Sequence, residues 1–152
     1  RSRGLGDVYK RQLQDLAIEE TGGDAIYLGT SPGRGPNRNV VIRRVDCNGN
    51  HRQGISVISA EDLLIEDCLL RNTRGTAPQA GIDFEPNAPG ESLVRCVVRN
   101  CIAENNAGTG FQFCPQTMNS SSPLISIDLE KCVSRGNMQL SLIHISEHKS
   151  PY

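Results

Sequence analysis

Apolar residues alternate with polar ones in short runs along this chain, and the runs themselves recur. Four stretches, AIYLG (25–29), GISVIS (54–59), GIDFEP (81–86) and GFQFCP (110–115), can be laid over one another. Their first large apolar residues are Ile26, Ile55, Ile82 and Phe111, separated by 29, 27 and 29 positions. Two residues further on stand Leu28, Val57, Phe84 and Phe113, with Tyr27, Ser56, Asp83 and Gln112 between. A period of two with one apolar face predicts a half-buried strand, here one per repeat. A second strand follows in each unit: VVIRRVDC, LLIEDCLL, CVVRNCIA and IDLEKCVS. In these, Val40, Leu63, Cys96 and Ile127 align, as do Ile42, Ile65, Val98 and Leu129, and then Val45, Cys68, Cys101 and Cys132. Turn-forming segments close the units, among them NGN (48–50), RNTRG (71–75) and ENNAG (104–108). Leu16 precedes Ile26 by the same 10 residues that separate Val45 from Ile55, so LQDLAIEETGG belongs to an earlier, partial unit.

A repeat of nearly 30 residues built from two or three short strands, with no helical period, predicts an all-β solenoid of about four coils. The step from first to second strand varies in length, which places loops of changing size at one corner. A βαβ array needs amphipathic helices that the sequence lacks, and a sandwich needs no shared register. Motifs such as NVVIRRVDCNGNHRQGISVISAEDLLIEDCLLRNT and VVRNCIAENNAGTGF resemble the right-handed parallel β-helix family, the pectate-lyase-like solenoids, across residues 13–139. That family hosts lyases, hydrolases, epimerases, tailspikes and adhesins, so the resemblance implies the fold and leaves the activity to the site. The Gly-His-Gly and Arg-x-Lys elements of polygalacturonases are not visible, and DFEP lacks the His of the alginate-epimerase element it partly resembles. No family residue is therefore carried over.

The two ends read differently. Asp7–Gln12, back-translated as GAT-GTG-TAT-AAG-AGA-CAG, has a reverse complement that encodes Leu-Ser-Leu-Ile-His-Ile, the sequence of residues 140–145. Residues 2–12 and 140–147 thus resemble translated sequencing-adapter DNA. The expected division is 1–12 as adapter-derived, 13–139 as β-helix coils from inside a longer solenoid, and 140–152 as adapter-derived or unstructured tail.

Composition narrows the partners. The chain carries 16 Lys+Arg and 17 Asp+Glu, a formal net charge of −1, and no basic cluster, which argues against a nucleic-acid partner. No apolar run approaches the roughly 20 residues that cross a bilayer, which argues against a membrane partner. The six cysteines make no paired C-x-x-C pattern; Cys68, Cys101 and Cys132 instead fall on one inward column, where thiols pack as small apolar groups or, on adjacent rungs near disulfide distance, form a bridge. Cys47 sits near a turn and Cys114 at an outward position, so their state stays open.

Candidate chemistry gathers on the outward face of the first strand. With Ile82 and Phe84 inward, Asp83 and Glu85 point outward, their Cα atoms roughly 6.6–7 Å apart. Tyr27 and Ser56 lie on one side, Gln112 on the other. His51, Arg52, Gln53 and Gln79 come from the preceding turns, and Asn87 from the loop that follows. Asp83 and Glu85 are candidate acid and base of a glycosidase, or, with an Asn carbonyl, candidate ligands for Ca²⁺. In a lyase, Arg52 or His51 is the candidate base, and Tyr27, Gln79, Asn87 and Gln112 are candidate substrate contacts. The expectation is a carbohydrate-active β-helix, a polysaccharide lyase or glycoside hydrolase, secreted or at the cell surface. The alternative is a non-catalytic surface solenoid that binds glycans or a partner.

Overall fold

The computed structural model describes residues 11–31 and 33–139. Twelve strands and no helix make up those residues: β1 (Arg11–Glu19), β2 (Ile26–Leu28), β3 (Asn37–Asn48), β4 (Gln53–Val57), β5 (Ala60–Glu66), β6 (Leu69–Arg71), β7 (Ala80–Phe84), β8 (Leu93–Arg99), β9 (Ile102–Glu104), β10 (Phe111–Phe113), β11 (Ile127–Glu130) and β12 (Val133–Arg135). β1 begins at Arg11 and pairs it with Val40, so two residues of the segment expected to be adapter-derived continue a strand. The expectations for 1–10 and 140–152 lie outside the described residues.

All pairings are parallel, and each strand's neighbour is its counterpart one coil away. One four-stranded sheet runs β10-β7-β4-β2. The second and third sides of each coil form one bent, eight-stranded sheet, because β3 is long enough to pair with β5 through its first half and with β6 through its second. The registers expected from the repeat hold: Ile26, Ile55, Ile82 and Phe111 are successive partners, as are Val40, Leu63, Cys96 and Ile127. These columns fill the interior with Ile, Val, Leu, Phe and Cys, buried in every central rung.

Closing a coil needs sharp bends, and the bends stack too. Asp15, Arg44, Asp67, Asn100 and Lys131 all have positive φ at the junction between second and third sides. Glu20, Gly49, Asn72, Asn105 and Gly136 do so where the third side ends, which fulfils the left-handed role expected of Asn72 and Asn105. The next position in the chain carries a polar column that the repeat analysis overlooked: Thr21, Asn50, Thr73, Asn106 and Asn137. Asn106 Nδ2 donates to Leu70 O (3.1 Å) and Asn137 Oδ1 (2.9 Å), and its Oδ1 accepts from Thr73 N (3.0 Å). Asn137 Nδ2 likewise donates to Ala103 O (3.0 Å), and Asn50 Oδ1 accepts from Thr21 N (3.2 Å). This amide ladder satisfies backbone groups that a turn inside the core would otherwise strand. Asn106→Ala is expected to cost about 3 kcal/mol, since it orphans several buried groups at once; a denaturant melt against the unmutated chain measures it.

The six cysteines are free. Cys68, Cys101 and Cys132 occupy one column as expected, and each thiol points across the core to a carbonyl: Ile42 O, Ile65 O and Val98 O. Cys132, in the last described coil, is half-buried. Cys47 is wholly buried in β3. Burial pushes the Cys47 and Cys96 thiols up to about 12, which keeps them unreactive.

Candidate functional site

Charges on the outer surface of the bent sheet alternate from rung to rung. Arg43, Glu66, Arg99 and Glu130 form a continuous row of pairs at 2.8, 3.4 and 2.7 Å. Arg38–Glu61, Arg44–Asp15, Arg95–Asp62, Arg71–Asp46 and Arg135–Glu104 complete the pattern. These are the cross-rung pairs expected of a solvated face, each worth little when exposed.

The outer face of the β10-β7-β4-β2 sheet breaks that pattern. Three carboxylates, Asp24, Asp83 and Glu85, gather there around one guanidinium. Arg52 Nη1 lies 3.2 Å from Asp24 Oδ2, and its Nη2 lies 3.6 Å from Glu85 Oε2. Ser56 Oγ donates to Asp24 Oδ2 (2.9 Å). Arg52 and Glu85 keep a little over a third of their side-chain surface exposed, so a ligand lying on the sheet can reach both.

Asp83 corrects the expectation of two solvent-facing acids. It takes the outward position on β7, yet its exposure is 0%. The reason is Gln53, which reaches over from the neighbouring coil. Gln53 Nε2 donates to Asp83 Oδ2 at 2.7 Å, and Gln53 Oε1 accepts from Ala80 N at 3.0 Å. The other oxygen, Oδ1, is buried and has no hydrogen-bond partner among the described residues. Burial pushes the Asp83 carboxyl up to about 7, and the charge and hydrogen bond of Glu85 add to the rise; Arg52 and the Gln53 amide oppose it. Glu85 therefore acts on the Asp83 carboxyl as a neighbour rather than as a separate group.

The remaining sequence candidates scatter. His51 is exposed in the turn, its Nε2 3.1 Å from Thr76 Oγ1, and does not join the acid pair. Arg52 does join it, as an ion-pair partner of Asp24 and Glu85. Gln79 closes its own turn, donating to Gly75 O at 2.7 Å. Asn87 is exposed in the loop, where its backbone N–H donates to Glu91. Gln112, beside Asp83, accepts from Thr109 Oγ1 (3.2 Å) and donates to Cys114 Sγ (3.1 Å). Tyr27 is 57% exposed, its ring lying over Gly29, where a Cβ would run into it. Gln53 was expected at the face but given no role there, and Asp24 was not among the expected site residues: it lies just outside the alternating strand pattern, where its residue type reads as a turn former.

The donor set fits a hard cation poorly. Among the described residues no three His, Cys, Asp or Glu side chains come together as ligands. Asp83 holds a proton near neutrality, and Arg52 already supplies the positive charge. Ca²⁺ prefers six to eight oxygens, several of them charged.

Stacked parallel coils with an interior of aligned apolar columns define a parallel β-helix. A family model described as "Right handed beta helix region" matches residues 33–126, and the chain belongs to that family. The uncharacterized protein YclG of Bacillus subtilis (strain 168) is 29% identical over 87 residues, a stretch covering 52% of this chain and 15% of YclG. The chain thus spans a small part of that relative's length. No solved structure matches.

Proposed function

We propose that the outer face of the β10-β7-β4-β2 sheet is a groove that processes an acidic polysaccharide, with elimination favoured over hydrolysis. The observation that supports it is the acid pair of Asp83 and Glu85 beside Arg52. Two-carboxylate glycosidases hold their carboxyls roughly 5–9.5 Å apart so that a nucleophile or a water fits; carboxyls in contact leave no such room. Elimination needs no water. The Glu85 carboxylate takes the proton from the carbon next to a uronate carboxylate. That C–H electron pair becomes a ring double bond, the glycosidic C–O bond breaks, and the departing oxygen takes a proton from the acid pair. Arg52 holds the uronate carboxylate and steadies the charge that develops beside it. Glu85 touches the substrate; Asp83, wholly covered, acts only through Glu85. Tyr27 and Gln112 flank the path of the sugar chain, and a polysaccharide substrate places the protein outside the cell or on its surface.

Glu85→Gln is expected to lower kcat/KM on a polyuronate about a hundredfold while leaving binding within a few fold, the usual weight of a general base. Formation of unsaturated ends across polyuronates of several linkages is the readout. Undiminished turnover by this variant defeats the proposal. The covering of Asp83 favours a second reading, a groove that binds glycans without cutting them. It predicts saturable binding with no new chain ends from any substrate.

A further inference from the structure

Gln53 is the only wholly buried amide on the working face of the β10-β7-β4-β2 sheet, and its two polar atoms have separate tasks. Oε1 accepts from Ala80 N at 3.0 Å and so anchors the side chain to the start of β7. Nε2 then donates to Asp83 Oδ2 at 2.7 Å. An oxygen that accepts a short hydrogen bond from an amide is the poorer place for a proton. The proton of Asp83 is left to Oδ1, the buried oxygen that has no donor.

We infer that Gln53 is a positioning residue of the acid pair: it turns the Asp83 carboxyl so that the proton lies on Oδ1, and holds it there. Every group that faces Asp83 bears on this assignment. From the turn before β4 comes Arg52, and from the coil beyond it Asp24, which Arg52 engages. From β7's own end comes Glu85, on β4 stands Ser56 and on β10 Gln112, both level with Asp83, and Cys114 follows just past the end of β10. None of these except Gln53 donates to Asp83 Oδ2. That proton is then a property of sequence positions 53, 83 and 85 together, and a Gln in the first of them is as much part of the site as the acids. Its role in catalysis rests on the elimination reading above, whereas its role in placing the proton does not.

Site-resolved carbon-13 NMR of the Asp83 carboxyl in the full chain tests this. In the unmutated chain the Gln53 side-chain amide protons are expected to shift with pH through the same midpoint as the Asp83 carboxyl. In Gln53→Leu that midpoint is expected to rise by about one pH unit or more, because a donor to the charged form is lost. A purely structural Gln53 lowers the melting temperature on substitution but leaves the Asp83 midpoint where it was, and that result overturns the inference. If Gln53→Leu does not fold, the amide protons of the unmutated chain decide: a Gln53 amide blind to the Asp83 titration overturns it equally. A midpoint that moves as expected in a protein that cleaves no polyuronate sinks the proposed activity and leaves the placement of the proton standing.

Discussion

Gly81→Val is expected to unfold the chain, and Gly81→Ala to cost more than about 4 kcal/mol, well beyond an ordinary surface or loop substitution. A Cβ at Gly81 would stand 2.6 Å from Gly110 O and 3.0 Å from Ala103 Cβ, and one at Gly54 would run into Gly81 O. The obstacle is backbone of the next coil in both cases, so no rotamer change relieves it. Here the chain turns from the third side of the coil into the first, and the coil is so narrow that β7 approaches β9 with only hydrogen between. The stacking distance between coils is fixed by the parallel hydrogen bonds at about 4.8 Å, so one coil cannot yield without prying apart its neighbours. Gly22 and Gly90 provide the contrast. Nothing lies within 4 Å of a Cβ at either position, and alanine there is expected to change stability by no more than about 0.5 kcal/mol. Circular dichroism melts of the variants measure the ordering. A Gly81→Ala variant as stable as Gly90→Ala would mean that the coils are wider than described.

Much of this architecture was legible in the sequence because a solenoid turns a long-range fold into a local one. Each strand pairs with its own counterpart one repeat away, so aligning Ile26, Ile55, Ile82 and Phe111 already gave the register that the sheet adopts. Alternation gave the facing of Asp83 as well. What it left out was depth. The covering of Asp83 depends on where the long side chain of Gln53, the first residue of β4, comes to rest, and a period of two says nothing of how far a side chain reaches along the sheet. Asp24 escaped notice because in TGGDA it reads as a turn residue, and only the stacking brings it onto Arg52. The amide ladder is a different case, since its signal was present. A left-handed residue followed at once by Asn or Thr occurs at 49–50, 72–73, 105–106 and 136–137. The first member of each pair makes the bend and the second holds it.

The outer charges separate the structural faces from the candidate site more sharply than any single residue does. On the bent sheet acids of successive rungs are mostly answered by arginines, as in the Arg43, Glu66, Arg99, Glu130 row. On the β10-β7-β4-β2 face three acids share Arg52, and one of them resolves the excess by keeping its proton. A face selected for stability alone would place a neutral side chain at position 83.

That difference is measurable as a dependence of stability on pH. An Asp in the unfolded chain titrates near its ordinary value of 3.8, whereas in the fold Asp83 holds its proton up to about 7. The folded state binds that proton more tightly, so the contribution of Asp83 is fully present below about pH 4 and is lost progressively as the pH rises through 7. The full swing is on the order of 4 kcal/mol. In Asp83→Asn the side-chain oxygen still accepts from Gln53 Nε2, and the amide donates to Glu85 without titrating. The variant is therefore expected to match the unmutated chain within about 1 kcal/mol at pH 4 and to exceed it by about 4 kcal/mol at pH 8.5, a rise of roughly 10 °C in Tm for a domain of this size. The carboxylates held low by arginine, Asp15, Glu61 and Asp62, are already ionised across that window and do not contribute to the difference. Denaturant melts of both proteins at the two pH values make the measurement. Parallel curves for the two chains would mean that Asp83 ionises in the fold without cost, and the acid pair would then share no proton for Glu85 to use. A gain confined to the alkaline side would identify Asp83 as a group retained against stability, which is how a working residue differs from the wet side of a strand.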